Sequence, residues 1–87
     1  MDVTDQTDPS DALNDALAAE LRAERAVKSV TYSVLEAQSG IPERTLMRLF
    51  KGDRDLRASH LILIAGVLGV TPADLIARAE KRVADGN

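Results

Sequence analysis

Apolar side chains recur along the chain at the three- and four-residue spacing of α-helices. Leu13, Leu17 and Leu21 lie four residues apart and form one stripe of a helix predicted from about residue 9 to residue 28. Asp8 suits the N-cap of this helix because its carboxylate can accept free backbone N–H groups, and Pro9 suits the first helical position, where no N–H is needed. The pattern therefore predicts a long first helix.

Four further helices follow, each bounded by residues that start or stop a helix. Thr31 can cap the second helix and Gly40 ends it, because glycine adopts a left-handed conformation without strain. The third helix ends at Gly52, and the fourth, predicted over roughly residues 57–68, ends at Gly69. Thr71, followed by a proline and then by an acid three residues after the cap, is a strong start signal for the fifth helix. The chain is therefore predicted to be all-α, with one domain over residues 9–85 behind a disordered acidic tail over residues 1–8.

The fourth and fifth helices have different apolar patterns. The run from Leu61 to Ala65 is apolar on every side, so we predict that the fourth helix is central and buried. The fifth helix carries a single apolar stripe, with room to serve both the core and a contact with a second chain: Leu75, Ile76, Ala79 and Val83.

The amino-acid composition supports a helical fold and excludes several kinds of site. Aromatic residues make up only 2% of the 87 residues, so the core must be aliphatic, which favours helices over a sandwich or barrel. The absence of cysteine excludes disulfides, thiolate nucleophiles and cysteine-ligated zinc. His60 is the only histidine, and it cannot build a metal site or a catalytic triad alone. We therefore predict no metal, no cofactor, no small-molecule ligand and no enzymatic activity.

Charge is distributed unevenly along the chain, whose net charge is −3. Residues 1–20 carry six acids and no base, whereas residues 21–87 carry eleven bases and eight acids. An acidic tail thus precedes a mildly basic body. The acidic start is the opposite of a signal peptide, and the apolar run from Leu61 to Val70 is about half the length of a membrane span. We therefore expect a cytoplasmic protein without a membrane segment.

Two short helices joined by the turn Gly40-Ile41-Pro42 predict a helix-turn-helix at helices 2 and 3. Apolar residues on the inward side can hold the angle between these helices: Leu35, Ile41, Leu46 and Leu49. The outward side of the third helix is polar and rich in long hydrogen-bond donors. The N-terminal end of such a helix can enter the major groove of DNA and contact base edges.

Individual residues of this third helix suit contacts with DNA. Arg44 and Arg48 project from one side, and each can form a paired contact with guanine O6 and N7. Glu43 can accept a hydrogen bond from cytosine N4, or can simply favour the positive end of the helix. The basic residues in and after the next turn are placed to neutralise phosphates: Lys51, Arg54 and Arg57. Exposed bases are more often only solvated, so spacing alone leaves both interpretations open.

From about Leu21 to Ile76 the chain resembles the lambda/434-type Cro and repressor helix-turn-helix family. The resemblance is carried by an ordered set of segments: Leu21 to Arg25, Thr31, Leu35, Gly40 to Leu46, Leu49, Lys51 to Asp53, Leu61, Ile64-Ala65, Leu68 to Val70, and Leu75. It implies a compact five-helix, lambda-repressor-like DNA-binding domain. It also implies a sequence-specific transcriptional regulator, of phage or prophage, that binds an operator on double-stranded DNA.

The resemblance also implies roles for single residues. The base readers would be Glu43, Arg44 and Arg48, and the contacts to the DNA backbone would include Tyr32, Pro42 and Thr45. Tyr32 stands where the family commonly places a phosphate-binding glutamine, and the alternative for it is a half-buried place at the helix cap. Phe50 stands where many members have a glutamate that pairs with the arginine of the first helix, so Arg25 is expected to lack that partner.

A single short helix on one half-site buries little surface, whereas a dimer reads two half-sites about one DNA turn apart. We therefore expect a homodimer in the cytoplasm of a bacterial host, associated with the nucleoid, which forms partly through the fourth and fifth helices and uses the apolar stripe of the fifth. Two alternatives stay open. One is a protein-interaction module of the same fold, antirepressor or antitoxin-like, which the low net basicity favours. The other is a DNA-binding accessory factor for phage recombination.

Overall fold

The computed structural model describes residues 8–86, which form five α-helices joined by short turns. They are α1 (Pro9–Lys28), α2 (Tyr32–Ser39), α3 (Glu43–Lys51), α4 (Ala58–Leu68) and α5 (Pro72–Ala84). The predicted helix order and the all-α class are confirmed. The disorder predicted for the tail falls almost wholly on residues 1–7, which lie outside the described part of the chain.

Three of the helices begin at the side-chain caps that the sequence predicts. The Asp8 carboxylate accepts the N–H two residues on at 3.0 Å, and the hydroxyls of Thr31 and Thr71 accept the N–H three residues on at 3.1 and 3.0 Å. These bonds satisfy backbone donors that have no partner inside the helix. The starts of α1, α2 and α5 are therefore fixed locally, by bonds that do not depend on the packing of one helix on another.

The core lies where α1 packs against α3, α4 and α5, and where α2 rests on α3 and α4. It is aliphatic except for one ring, and its largest fully buried side chains are Phe50, Leu21, Leu35, Leu46, Leu49, Ile64, Leu68 and Leu75. Burial of each such side chain contributes roughly 1.5–3 kcal/mol to folding. The two helices of the helix-turn-helix are thus anchored by burial on the same core.

The prediction that α4 is buried on every side is wrong. Its residues Ile64 and Ala65 are buried, but Ile62 is 58% exposed and Leu63 is 46% exposed. The reason is geometric, because α1, α2 and α5 all contact the same side of α4 and no described helix covers the other side. The apolar run from Leu61 to Ala65 predicts a helix, but it does not determine which sides of that helix are buried.

Ion pairs between partly exposed bases and largely buried carboxylates join α1 to α5. Glu24 bonds Arg78 at 2.7 Å and Lys28 at 3.2 Å, and Glu20 bonds Arg82. The hydrogen bond from the Arg78 guanidinium, followed by that from Lys28, lowers the pKa of Glu24 below its ordinary value. The basic residues Lys28, Arg78 and Arg82 therefore already have acidic partners within the protein.

No single helix among residues 8–86 is long and apolar enough to cross a membrane. Within that described range, one pair, α4 and α5 taken together, reaches that length and hydropathy, and the two helices are bent by 106° at the break between them.

Candidate nucleic-acid interface

The turn between α2 and α3 determines how α3 lies on the surface of the protein. Gly40 ends α2 at φ +81°, a conformation that suits a residue without Cβ, and Ile41 is buried directly after it. Pro42 is the N-cap residue of α3, and the first helical residue is Glu43. No side chain caps α3, so the N–H groups of its first turn are left available at the exposed end of the helix.

The inward residues of α3 decide which side chains face outward. Leu46, Leu49 and Phe50 are buried, and at 100° per residue the opposite side carries three exposed bases: Arg44, Arg48 and Lys51. Met47 lies beside these bases and is also exposed, whereas Glu43 and Thr45 are half-buried at the two edges of the exposed arc. The structure therefore brings the predicted base-reading arginines together on one surface.

The basic residues of the chain fall into two groups. Within residues 8–86, one group bonds partners inside the protein: Arg22, Arg25, Lys28, Arg78, Lys81 and Arg82. The other group makes no ion pair and no side-chain hydrogen bond within the same range, and it consists of Arg44, Arg48, Lys51, Arg54 and Arg57. Every member of this second group lies on α3 or in the loop that follows it. We call these five residues the free bases.

The loop that carries two of the free bases is held against α1 by Asn14. The Asn14 side-chain oxygen accepts the N–H of Leu56 at 2.9 Å, and its amide donates to the Arg54 carbonyl at 3.3 Å. Gly52 brings the chain close to α1, since a Cβ built there would lie 3.1 Å from the Asp15 carboxylate. The sequence analysis did not predict this role of Asn14. The signal that could have indicated it is a polar amide inside α1, next to the apolar stripe of leucines on that helix.

A stack of three side chains joins α1 to the helix-turn-helix. The Arg25 guanidinium lies 4.3 Å from the centre of the Tyr32 ring, and that ring meets Phe50 edge-on at 5.4 Å between centres. Arg25 also donates to the carbonyl of Val30 at 3.0 Å. Arg25 therefore has partners of a different kind from the glutamate that the resemblance implies. We call Arg25, Tyr32 and Phe50 the arginine stack.

The arginine stack also bears on the DNA contact predicted for Tyr32. The ring is half-buried against the core at the start of α2, as the alternative for this residue expects. Its phosphate contact stays a prediction. Nearby, Arg22 donates to the Phe50 carbonyl at 2.6 Å, which caps the last turn of α3. The orientation of α3 thus depends on side chains of α1.

The predicted dimer residues do not share one surface. Leu75 and Ala79 are fully buried in the core of the single chain, so their side chains have no area to offer a second chain. Ile76 and Val83 are each 38% exposed. This corrects the predicted seam, because the apolar stripe of α5 is used mainly against α1.

Comparisons with known proteins agree with this geometry. Residues 20–81 match the family of Cro/C1-type HTH DNA-binding domains, a stretch that contains all of α2, α3 and α4. Two crystal structures of the clp gene regulator ClgR from Corynebacterium glutamicum are similar to this chain at 32% sequence identity. One has a TM-score of 0.74 and covers 79% of this chain and 90% of its own, and the other has a TM-score of 0.77 and covers 83% and 77%. A search of the curated proteins finds no match.

Proposed function

Because the chain belongs to the Cro/C1-type helix-turn-helix DNA-binding family, we propose that it is a sequence-specific transcriptional regulator that inserts α3 into the major groove of an operator. The family and the lambda-repressor-like fold expected from the sequence are confirmed by the match and by the similar structures. ClgR is a regulator of clp genes, and regulation of transcription is the role that we extend to this chain. The resemblance of residues 21–76 further supports a Cro or immunity-repressor type, from phage or prophage.

The free bases are the observation that carries this proposal. A base that is already paired with a carboxylate is less available to neutralise a phosphate, and the chain keeps its unpaired bases on α3 and the loop after it, within residues 8–86. The overall charge of −3 is thus a poor guide, because the acids and bases that dominate α1 and α5 largely cancel one another. A DNA duplex would meet the positive side of the molecule.

The spacing on α3 suits base reading. Arg44 and Arg48 are separated by about 6 Å along the helix axis, at 1.5 Å per residue. Successive base pairs are about 3.4 Å apart, so the two guanidinium groups can reach different base pairs of one half-site. Glu43 and Thr45 flank them at the edges of the exposed arc. We assign Arg44, Arg48 and Glu43 to bases, and Thr45 and Pro42 to the DNA backbone.

Phosphate contacts are assigned to the remaining free bases. Lys51 ends α3, and Arg54 and Arg57 lie in the loop that Asn14 fixes on α1. A loop fixed in this way loses little further entropy when its bases meet phosphates, which favours binding. The Tyr32 hydroxyl at the start of α2 is assigned to the same role.

We further propose that the protein acts as a homodimer on two half-sites, in the bacterial cytoplasm and on the nucleoid. The antirepressor or antitoxin-like alternative is supported by the net charge of −3, and the placement of the free bases favours DNA over it. An accessory role in phage recombination would use the same DNA contacts.

Selection of bound sequences from random DNA tests the proposal. The wild-type chain should enrich one sequence, and Arg44→Ala and Arg48→Ala should each relax one separate position, at a cost of about 1–3 kcal/mol in discrimination. Lys81→Ala is the matched control, because it removes one exposed charge on α5 and should leave the enriched sequence unchanged. Enrichment of no sequence by the wild type, or of the same sequence by all four proteins, contradicts the assignment.

A further inference from the structure

An open groove lies between the first turns of α1 and the loop that follows α3. Its volume is about 300 Å³, which is room for about ten water molecules at roughly 30 Å³ each. Six residues line it: Leu13, Leu17, Leu56, Ser10, Asn14 and Asp55. Leu13 and Leu56 are only partly buried, so the groove leaves apolar surface free for a further side chain. We call it the α1 groove.

The polar residues of the α1 groove indicate what kind of group it accepts. The Asn14 side chain already bonds the Arg54 carbonyl and the N–H of Leu56. Asp55 is exposed and would repel a second acid that entered the groove. An apolar side chain has neither problem, and it would bury the leucine surface that is left.

The chain itself supplies such a side chain close by. The described residues begin at Asp8, two positions before Ser10, which lines the α1 groove. Residues 1–7 contain two apolar side chains, Met1 and Val3. Five residues span at most about 17 Å, so Val3 can lie that far from Asp8. From Ser10 to Leu17 the groove follows α1 for about 10 Å, which is well within that reach.

Charge complementarity favours the same placement. Arg54 and Arg57, two of the free bases, flank the groove residues Asp55 and Leu56 in sequence. Residues 1–7 carry two acids, Asp2 and Asp5, on either side of Val3 and contain no base. Pairs of exposed opposite charges are weak, so the apolar contact would supply most of the binding and the charges would orient the segment.

We propose that residues 1–7 bind back into the α1 groove through Val3 and hold Asp2 and Asp5 close to Arg54 and Arg57, where these acids oppose phosphates. The inference rests on the proposed function for the role of the two bases. A segment of the same chain is present at a millimolar effective concentration, so a weak contact is sufficient. Arg44 and Arg48 lie on α3 and not on this loop, so base reading is left in place. The segment thus lowers affinity for DNA of any sequence.

The first test attaches a nitroxide spin label to residue 4 of the full chain, without DNA. The chain contains no cysteine, so Thr4→Cys provides a single attachment point. The label should broaden the amide resonances of Asp55 and Leu56, and Val3→Ser should reduce this broadening at least about threefold. Gly69 is the control amide, because it follows the end of α4 that Lys28 bonds, about 27 Å along α1 from Ser10. Equal broadening with and without Val3→Ser overturns the inference.

The second test measures DNA affinity by fluorescence anisotropy, on a duplex of unrelated sequence and on a selected one. Val3→Ser should bind both duplexes at least about threefold more tightly, because the acids of the released segment no longer lie beside the two bases. Gln6→Ser is the matched control, since it changes a polar residue of the same segment and should leave both affinities unchanged. Neither substitution changes the net charge, so a difference between them cannot come from charge alone. Wild-type affinity of Val3→Ser on both duplexes contradicts the inference.

The two assays keep this inference distinct from the proposed function. A wild type whose label broadens the loop, but which selects no DNA sequence, would refute the proposed function and support the bound segment. A wild type that selects a sequence, while Val3→Ser changes neither the broadening nor the affinity, would refute the bound segment and support the proposed function.

Discussion

The salt dependence of DNA binding should follow from the number of free bases that meet phosphates. The perturbation is Lys51→Ala, compared with the wild type over a series of salt concentrations. Lys51 is exposed at the end of α3 and makes no ion pair within residues 8–86, so its loss should disturb neither the fold nor another contact.

The magnitude comes from the structure. Lys51, Arg54 and Arg57 are the free bases assigned to phosphates, and Arg44 and Arg48 are assigned to bases. A dimer on two half-sites would neutralise about six phosphates, which gives a slope of log K against log salt near −5 at about −0.9 for each phosphate. The wild type should therefore lose about a thousandfold in affinity between 50 and 200 mM salt, and Lys51→Ala should make the slope shallower by about 2.

Fluorescence anisotropy on a labelled operator duplex measures both slopes. Lys81→Ala removes an equal charge from α5, where it pairs with Asp85, and should keep the wild-type slope. A Lys81→Ala slope that changes as much as the Lys51→Ala slope would show that the overall charge, and not the α3 surface, sets the dependence. A wild-type slope near zero would refute the assignment of phosphate contacts altogether.

Three further predictions concern stability. Phe50→Ala should cost about 3–5 kcal/mol in urea unfolding, because it empties a fully buried site and removes the aromatic pair. Gly52→Ala should be more destabilising than Gly40→Ala in thermal melting, because both pay the left-handed strain of about 1–2 kcal/mol but only the Cβ at Gly52 meets a neighbouring carboxylate oxygen, at 3.1 Å. Because its pKa is lowered in the folded state, Glu24 stabilises the fold above its ordinary pKa, and this contribution is lost as the pH falls through the lowered value. Glu24→Gln should therefore flatten the loss of stability on acidification, whereas Glu80→Gln, on an exposed residue, should retain it, as measured by melting temperature against pH.

The helix boundaries and the surface of α3 could be predicted because local chemistry determines them. A cap such as Thr31 or Thr71 bonds a backbone group only three residues away, and the spacing of Arg44 and Arg48 determines that they share a side. The sequence therefore specifies both before any packing is known. The same reasoning predicted a helix-turn-helix from the turn at Gly40.

The contacts that position the site could not be predicted, because they join residues distant in sequence. The Asn14 side chain bonds Leu56 across 42 residues, and the Arg22 guanidinium bonds the Phe50 carbonyl across 28. Hydrophobic periodicity also does not say which side of an apolar helix has neighbours, which is why the burial of Ile62 was predicted wrongly. Each of these features depends on how the helices pack on one another, and none of them on whether a helix forms.

The arginine stack has a consequence for how this regulator responds to its ionic environment. Dissolved ions weaken an exposed pair of opposite charges, but they act little on a half-buried guanidinium that lies against an aromatic ring. The position of α3 should therefore stay unchanged over a range of salt concentrations in which contacts with phosphates weaken. Such a protein would dissociate from DNA at high salt without any change in the structure of its helix-turn-helix. It could therefore bind again as soon as the salt concentration falls.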